Sequence, residues 1–73
     1  MEELWTVHNV IDDTLKAYTS KRLAMDEAER IVGNSAAASP ADGMILYGPG
    51  NGETSVLLQR TTREWLGDIP VVA

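Results

Sequence analysis

The sequence has no cysteine and no phenylalanine, a single histidine, and six basic residues against eleven acidic ones. Without cysteine, disulfides, thiolate metal sites, iron-sulfur clusters and thiol nucleophiles are excluded. His8 has no second imidazole and no serine at a recognisable spacing, so it reads as a surface or half-buried strand position rather than a metal ligand or catalytic base. A formal charge of -5 repels phosphate backbones, which sets direct nucleic-acid binding aside. No apolar run approaches the roughly 20 residues of a membrane span. The acidic start Met1-Glu2-Glu3 reverses the basic start of a signal peptide, so a cytoplasmic location without membrane association is expected. There is no Gly-x-Ser-x-Gly elbow, and no carboxylate pair lies in apolar sequence that would raise one pKa. The expectation is a chain that is not an enzyme and takes no cofactor or metal.

What is present suits one small folded domain over residues 1–73. The composition is 44% hydrophobic and 23% charged, the balance of a globular chain, and a chain this short hides only about 60% of its unfolded surface. Leu4 to Ile11 is rich in β-branched and aromatic residues, with Trp5, Val7 and Ile11 on one face, and predicts a strand. Asp12-Asp13 supplies turn chemistry. Thr14 to Thr19 then alternates again, with Leu15 and Ala17 on one face and Lys16 and Tyr18 on the other, more exposed one, which completes a hairpin.

Ser20 is placed to cap a helix over Lys21 to Val32, whose apolar stripe is Ala24, Ala28, Ile31 and Val32 with Leu23 beside them. Asp26 precedes Arg30 by four residues, the favourable order for a helix ion pair. Gly33-Asn34 ends the helix, and residues 34–43 read as a flexible connector, since they are small and contain Pro40. Met44 to Tyr47 and Thr54 to Arg60 predict a second hairpin around Gly48-Pro49-Gly50-Asn51-Gly52. A short strand around Trp65-Leu66 follows, and residues 67–73 form an extended end. The predicted fold class is α+β, ββαββ(β), with one amphipathic helix packed on an antiparallel sheet and Trp5, Val7, Ala28, Ile31, Ile45 and Leu57 or its neighbours in the core.

Met44 to Leu58 resembles the strand and Gly-rich loop of ATPases of the AAA type, with Gly48, Pro49, Gly50, Gly52 and Thr54 on matching residue types if one proline of the pattern is skipped. The resemblance implies a phosphate cradle. Two departures oppose it: the skip shortens the backbone nest, and Glu53 stands where a lysine should meet the terminal phosphates. A P-loop also needs a following helix, whereas Thr54 to Arg60 has β-type composition. A small nucleotide or phospho-ligand-binding accessory domain using loop 48–54 is therefore the alternative function, behind a non-enzymatic protein-binding module.

The binding expectation rests on surface. Glu2, Glu3, Asp12, Asp13, Asp26, Glu27 and Glu29 crowd the first thirty residues and are candidate steering charges for a basic partner, with a purely solvating role as the plain alternative. Trp65, flanked by Arg63, Glu64 and Gly67, is a candidate interface anchor or a core residue. The end Ile69-Pro70-Val71-Val72-Ala73 can add to a sheet edge in a partner or a second copy, giving a homo-oligomeric structural protein, or pack against its own domain.

The hairpin, the helix carrying Asp26-Glu27-Ala28 and the returning strand together look like the small inhibitors that lytic bacteriophages make against bacterial RNA polymerase. In size and acidity the chain is also similar to phage anti-CRISPR proteins. What the resemblance implies is occlusion of a basic nucleic-acid channel on a host enzyme by an acidic surface, with neither catalysis nor a cofactor.

Overall fold

The computed structural model describes residues 3–33, 36–49 and 53–73. In chain order the elements are β1 (Leu4–Asn9), β2 (Thr14–Tyr18), α1 (Lys21–Val32), β3 (Ala36–Ala41), β4 (Met44–Gly48), β5 (Val56–Thr61) and a single helical turn, α2 (Arg63–Leu66). The strands form one antiparallel sheet in the order β2-β1-β5-β4-β3, with α1 packed on one face, an α+β fold.

The helix forms where the sequence predicts it. Ser20 Oγ accepts a hydrogen bond from Leu23 N at 3.2 Å, and Gly33 leaves the helix at φ 67, in the left-handed region that glycine enters without steric cost. Ala24 and Ala28 are fully buried beneath it. Their small side chains let the backbone lie close over Trp5, Val7, Tyr18, Ile45, Tyr47, Val56 and Leu58, while Met25, Ile31 and Val32 pack around this core from its margin. Register places these residues together: Trp5 stands opposite Tyr18, Val7 and Ile45 both stand opposite Leu58, and Tyr47 stands opposite Val56. A smaller cluster of Leu4, Ala17 and Leu66, joined by Ile69 and Val71, closes one end of the other face.

Five expectations need correction. The connector over 34–43 contains an ordered strand, β3, because Ala36, Ala37 and Ala38 pair with Gly48, Tyr47 and Leu46. Pro40 is tolerated there because the register shifts between Ala38 and Ala41 and β3 lies at the sheet edge. Asn34 and Ser35 lie outside the described residues. Trp65-Leu66 is helical rather than extended, since Thr62 Oγ1 caps the turn by accepting from Trp65 N. β1 stops at Asn9, leaving Val10 and Ile11 in the turn and exposed, so Ile11 does not share the core face. Tyr18 is buried rather than exposed because α1 covers its face of the sheet. Asp26 pairs with Arg22 at 3.3 Å, while Arg30 turns to Glu27. The expectation that Leu57 or its neighbours enter the core is met by its neighbours Val56 and Leu58, while Leu57 itself points to the other face.

Residues 69–73 lie on their own domain. Ala17 N donates to Pro70 O, Val72 N to Ala17 O and Thr19 N to Ala73 O, so the end runs parallel along the outer edge of β2. Pairing of this end with a second copy would require it to leave that edge.

Glu27 sits on the sheet-facing side of α1 with its side chain only 13% exposed. Arg30 donates Nε to Oε1 at 2.5 Å and Nη2 to Oε2 at 2.7 Å, and Lys16 Nζ lies 3.8 Å away. The hydrogen bonds from Arg30 hold the Glu27 carboxyl below its ordinary value against the opposing effect of burial; the charges of Arg30 and Lys16 and a hydrogen bond from Tyr18 act in the same direction as Arg30. A depressed folded value stabilises the protein fully above the unfolded value of 4.5, and that contribution fades as pH falls through the folded one. Glu27→Gln should therefore lower the urea midpoint at about pH 7, and the gap from the parent should shrink by about pH 3. A gap that widens in acid would contradict this account.

Gly48 ends β4 where a Cβ would overlap the Glu53 carbonyl oxygen, so the two arms of the β4–β5 connection approach too closely for any side chain. Gly48→Ala should cost about 1–3 kcal/mol by forcing the backbone apart, readable as a drop in chemical stability.

Candidate protein-docking face

Strands alternate their side chains between two faces, and α1 covers only one of them. On the other, the register builds a row across the whole sheet: Leu15 opposite His8, His8 opposite Leu57, Leu57 opposite Leu46, and Leu46 opposite Ala38. At about 4.8 Å per strand the row is about 19 Å wide. The cluster of Leu66, Ile69 and Val71 covers the Leu4 and Ala17 end of this face. Among the described residues, no helix or strand lies over the row itself, and Leu15, Leu57 and Leu46 remain half-buried.

Beside the row is a hollow of about 230 Å³ lined by Thr6, His8, Asp13, Leu15, Leu57, Gln59 and Trp65. Each wall has a local cause. Thr6 is buried and its Oγ1 donates to Gln59 O at 3.2 Å, which fixes the base between β1 and β5. Asp12 Oδ1 accepts from both Thr14 N and Thr14 Oγ1, making the tight turn between β1 and β2. That turn holds Asp13 at φ 58 and brings its Oδ1 to 3.2 Å from His8 Nε2. Trp65 is presented by α2, whose start is capped by Thr62 and whose Leu66 anchors it from below, so the ring stands 65% exposed on a fixed base. Val10 and Ile11, 75% exposed in the second case, add apolar surface on the same turn that carries Asp12 and Asp13.

The candidate steering residues do not form one surface. Trp65 and Asp13 meet at the hollow, with Asp12 in the adjoining turn. Asp26, Glu27 and Glu29 lie on α1, beyond the opposite face of the sheet. Of these, Asp26 and Glu27 are engaged by Arg22 and Arg30, while Asp26 and Glu29 add to the burial that raises the Tyr47 hydroxyl pKa. Glu3 accepts a hydrogen bond from Trp5 Nε1 and lies 3.9 Å from Arg60 Nε. Glu2 lies outside the described residues. Sequence reasoning missed His8, Leu15, Leu57 and Gln59; period-two alternation in β1 and β2 could have placed the first two together, but only register brings β5 beside them.

The Gly-rich segment connects β4 to β5, so a strand follows it where a phosphate cradle requires a helix. Glu53 is exposed there, and Gly50, Asn51 and Gly52 lie outside the described residues. A second hollow, between Trp5, Lys21 and the β3–β4 turn, places Lys21 Nζ 5.7 Å from the Trp5 ring centroid, a cation–π contact that fastens the start of α1 to the sheet. Among the described residues, no three His, Asp or Glu side chains gather as a metal site, and no helix is long and apolar enough to cross a membrane. Comparison with protein-family models, with curated proteins and with solved structures finds no match for this chain.

Proposed function

We propose that the chain is a non-enzymatic protein-binding module that docks through the sheet face opposite α1. The observation that carries this reading is the row of Leu15, His8, Leu57 and Leu46, three leucines with one histidine among them, beside an exposed Trp65. Exposed aromatics on a rigid base are what protein interfaces use as anchors, and half-buried leucines beside them gain burial only when a second molecule arrives. Charge favours a basic partner over a second copy, since each chain carries -5 and a face-to-face pair would double it.

The finer reading is inhibition of a nucleic-acid-handling host enzyme, such as a bacterial RNA polymerase, by occlusion of its basic channel. Its support is the acidity and small size of the chain and its resemblance to phage inhibitors. Run-off transcription titrated with the chain tests it: output should fall with added protein, and raising salt should restore it, because screening weakens attraction between opposite charges. Unchanged transcription would remove this partner class while leaving the docking face to be tested on others. The binding reading itself is tested by association kinetics with the captured partner. Asp12 lies in the turn beside the hollow and does not line it, so Asp12→Asn should slow association with little change in dissociation; equal rates would show that this acid does not steer.

A further inference from the structure

We infer that the hollow between β1, β2, β5 and α2 is a receptor for one arginine side chain of the protein partner. The inference rests on the docking reading above and specifies its chemistry. Among the described residues, Asp13 is the only charged lining side chain apart from His8, which is charged only when protonated, and neither lysine nor arginine borders the space. The rest of the lining is ordered to match a guanidinium on an aliphatic stem. Leu15 and Leu57 offer apolar surface to the methylenes. Trp65 borders the hollow with an exposed indole, a ring system on which a planar guanidinium stacks better than a compact ammonium. Asp13 is 93% exposed and its Oδ1 lies against His8, which leaves Oδ2 for a donor; Gln59, which also lines the hollow, carries a side-chain amide oxygen able to accept a second. A guanidinium presents several donors in a fixed fork, which suits more than one acceptor, whereas an ammonium acts as a point charge. A hollow of about 230 Å³ has room for one such side chain and not for a folded segment.

The test uses the full chain and three capped tripeptides, acetyl-Ala-X-Ala-amide, with X arginine, citrulline or norleucine, followed by backbone and indole NMR shifts. Citrulline keeps the shape of arginine and removes its charge; norleucine keeps only an apolar stem. The arginine peptide should move the amides of Thr6, His8 and Leu57 and the Trp65 indole, with saturation near the millimolar range and about tenfold tighter than citrulline. Asp13→Asn should erase that preference without unfolding the turn, because asparagine tolerates a positive φ. Equal binding of all three peptides, or norleucine binding best, would overturn the arginine assignment while leaving an apolar docking face. Shifts confined to α1, or no shift at about 10 mM arginine peptide, would also overturn it. The docking reading then stands or falls separately on whether Trp65→Ala loses the intact partner.

Discussion

Leu58→Ala should cost about 2–5 kcal/mol, roughly half the stability of the protein. Leu58 is fully buried, touches the core from the middle strand of the sheet, and stands opposite both Val7 and Ile45, so its loss opens a cavity that no neighbour can fill without moving a strand. At about 0.05–0.15 kcal/mol per residue, a 73-residue chain has about 4–11 kcal/mol in total. The same change one residue earlier, Leu57→Ala, should cost about 1 kcal/mol or less, because that side chain lies on the uncovered face. Urea denaturation of the two variants reads the contrast directly. Equal losses would mean that an element covers the Leu57 face in solution.

Trp65→Ala carries the second large effect, on binding rather than on folding. The ring is exposed and Leu66, not Trp65, anchors α2 to the sheet, so stability should change by no more than about 0.5 kcal/mol. A central aromatic anchor is worth about 2 kcal/mol or more when truncated, which is about a 30-fold loss of affinity, mostly through faster dissociation. Surface plasmon resonance with the captured partner measures both rates. Affinity unchanged within a factor of two would remove Trp65 from the interface.

The helix and the two hairpins were legible because each is written locally. Ser20 and Gly33 mark the ends of α1 by their own chemistry, and Asp12 makes its turn with a residue two positions on. What was not legible depends on pairing between distant segments. Ala36 to Ala38 have no strand preference of their own, and become β3 only because β4 presents an open edge to them. Leu57 and Leu58 are adjacent and chemically alike, so nothing local says which one faces α1; the register of β5 against β1 and β4 decides. Trp65 was readable as an interface candidate from its polar neighbours, and the acids of Asp12 and Asp13 from their turn. The hollow they share with His8, Leu15, Leu57 and Gln59 arises because β1 lies between β2 and β5 in the sheet, an order that a linear sequence does not display. The acids of α1 illustrate the converse: Asp26, Glu27 and Glu29 are near Asp12 and Asp13 in sequence but lie beyond the other face of the sheet.

The central claim is that the docking surface is the sheet face opposite α1 rather than the acidic face of α1. It is tested most directly by affinity capture from native host lysate with three forms of the chain side by side: the parent, Leu57→Lys, and Asp26→Asn with Glu29→Gln. Each form is first shown to be folded by its near-UV circular dichroism. The account predicts a partner held by the parent and by the α1 variant, and lost by Leu57→Lys, which places a positive charge among the leucines of the row and beside the hollow. A partner that Leu57→Lys retains and the α1 variant releases would contradict it and move the interface to the helix.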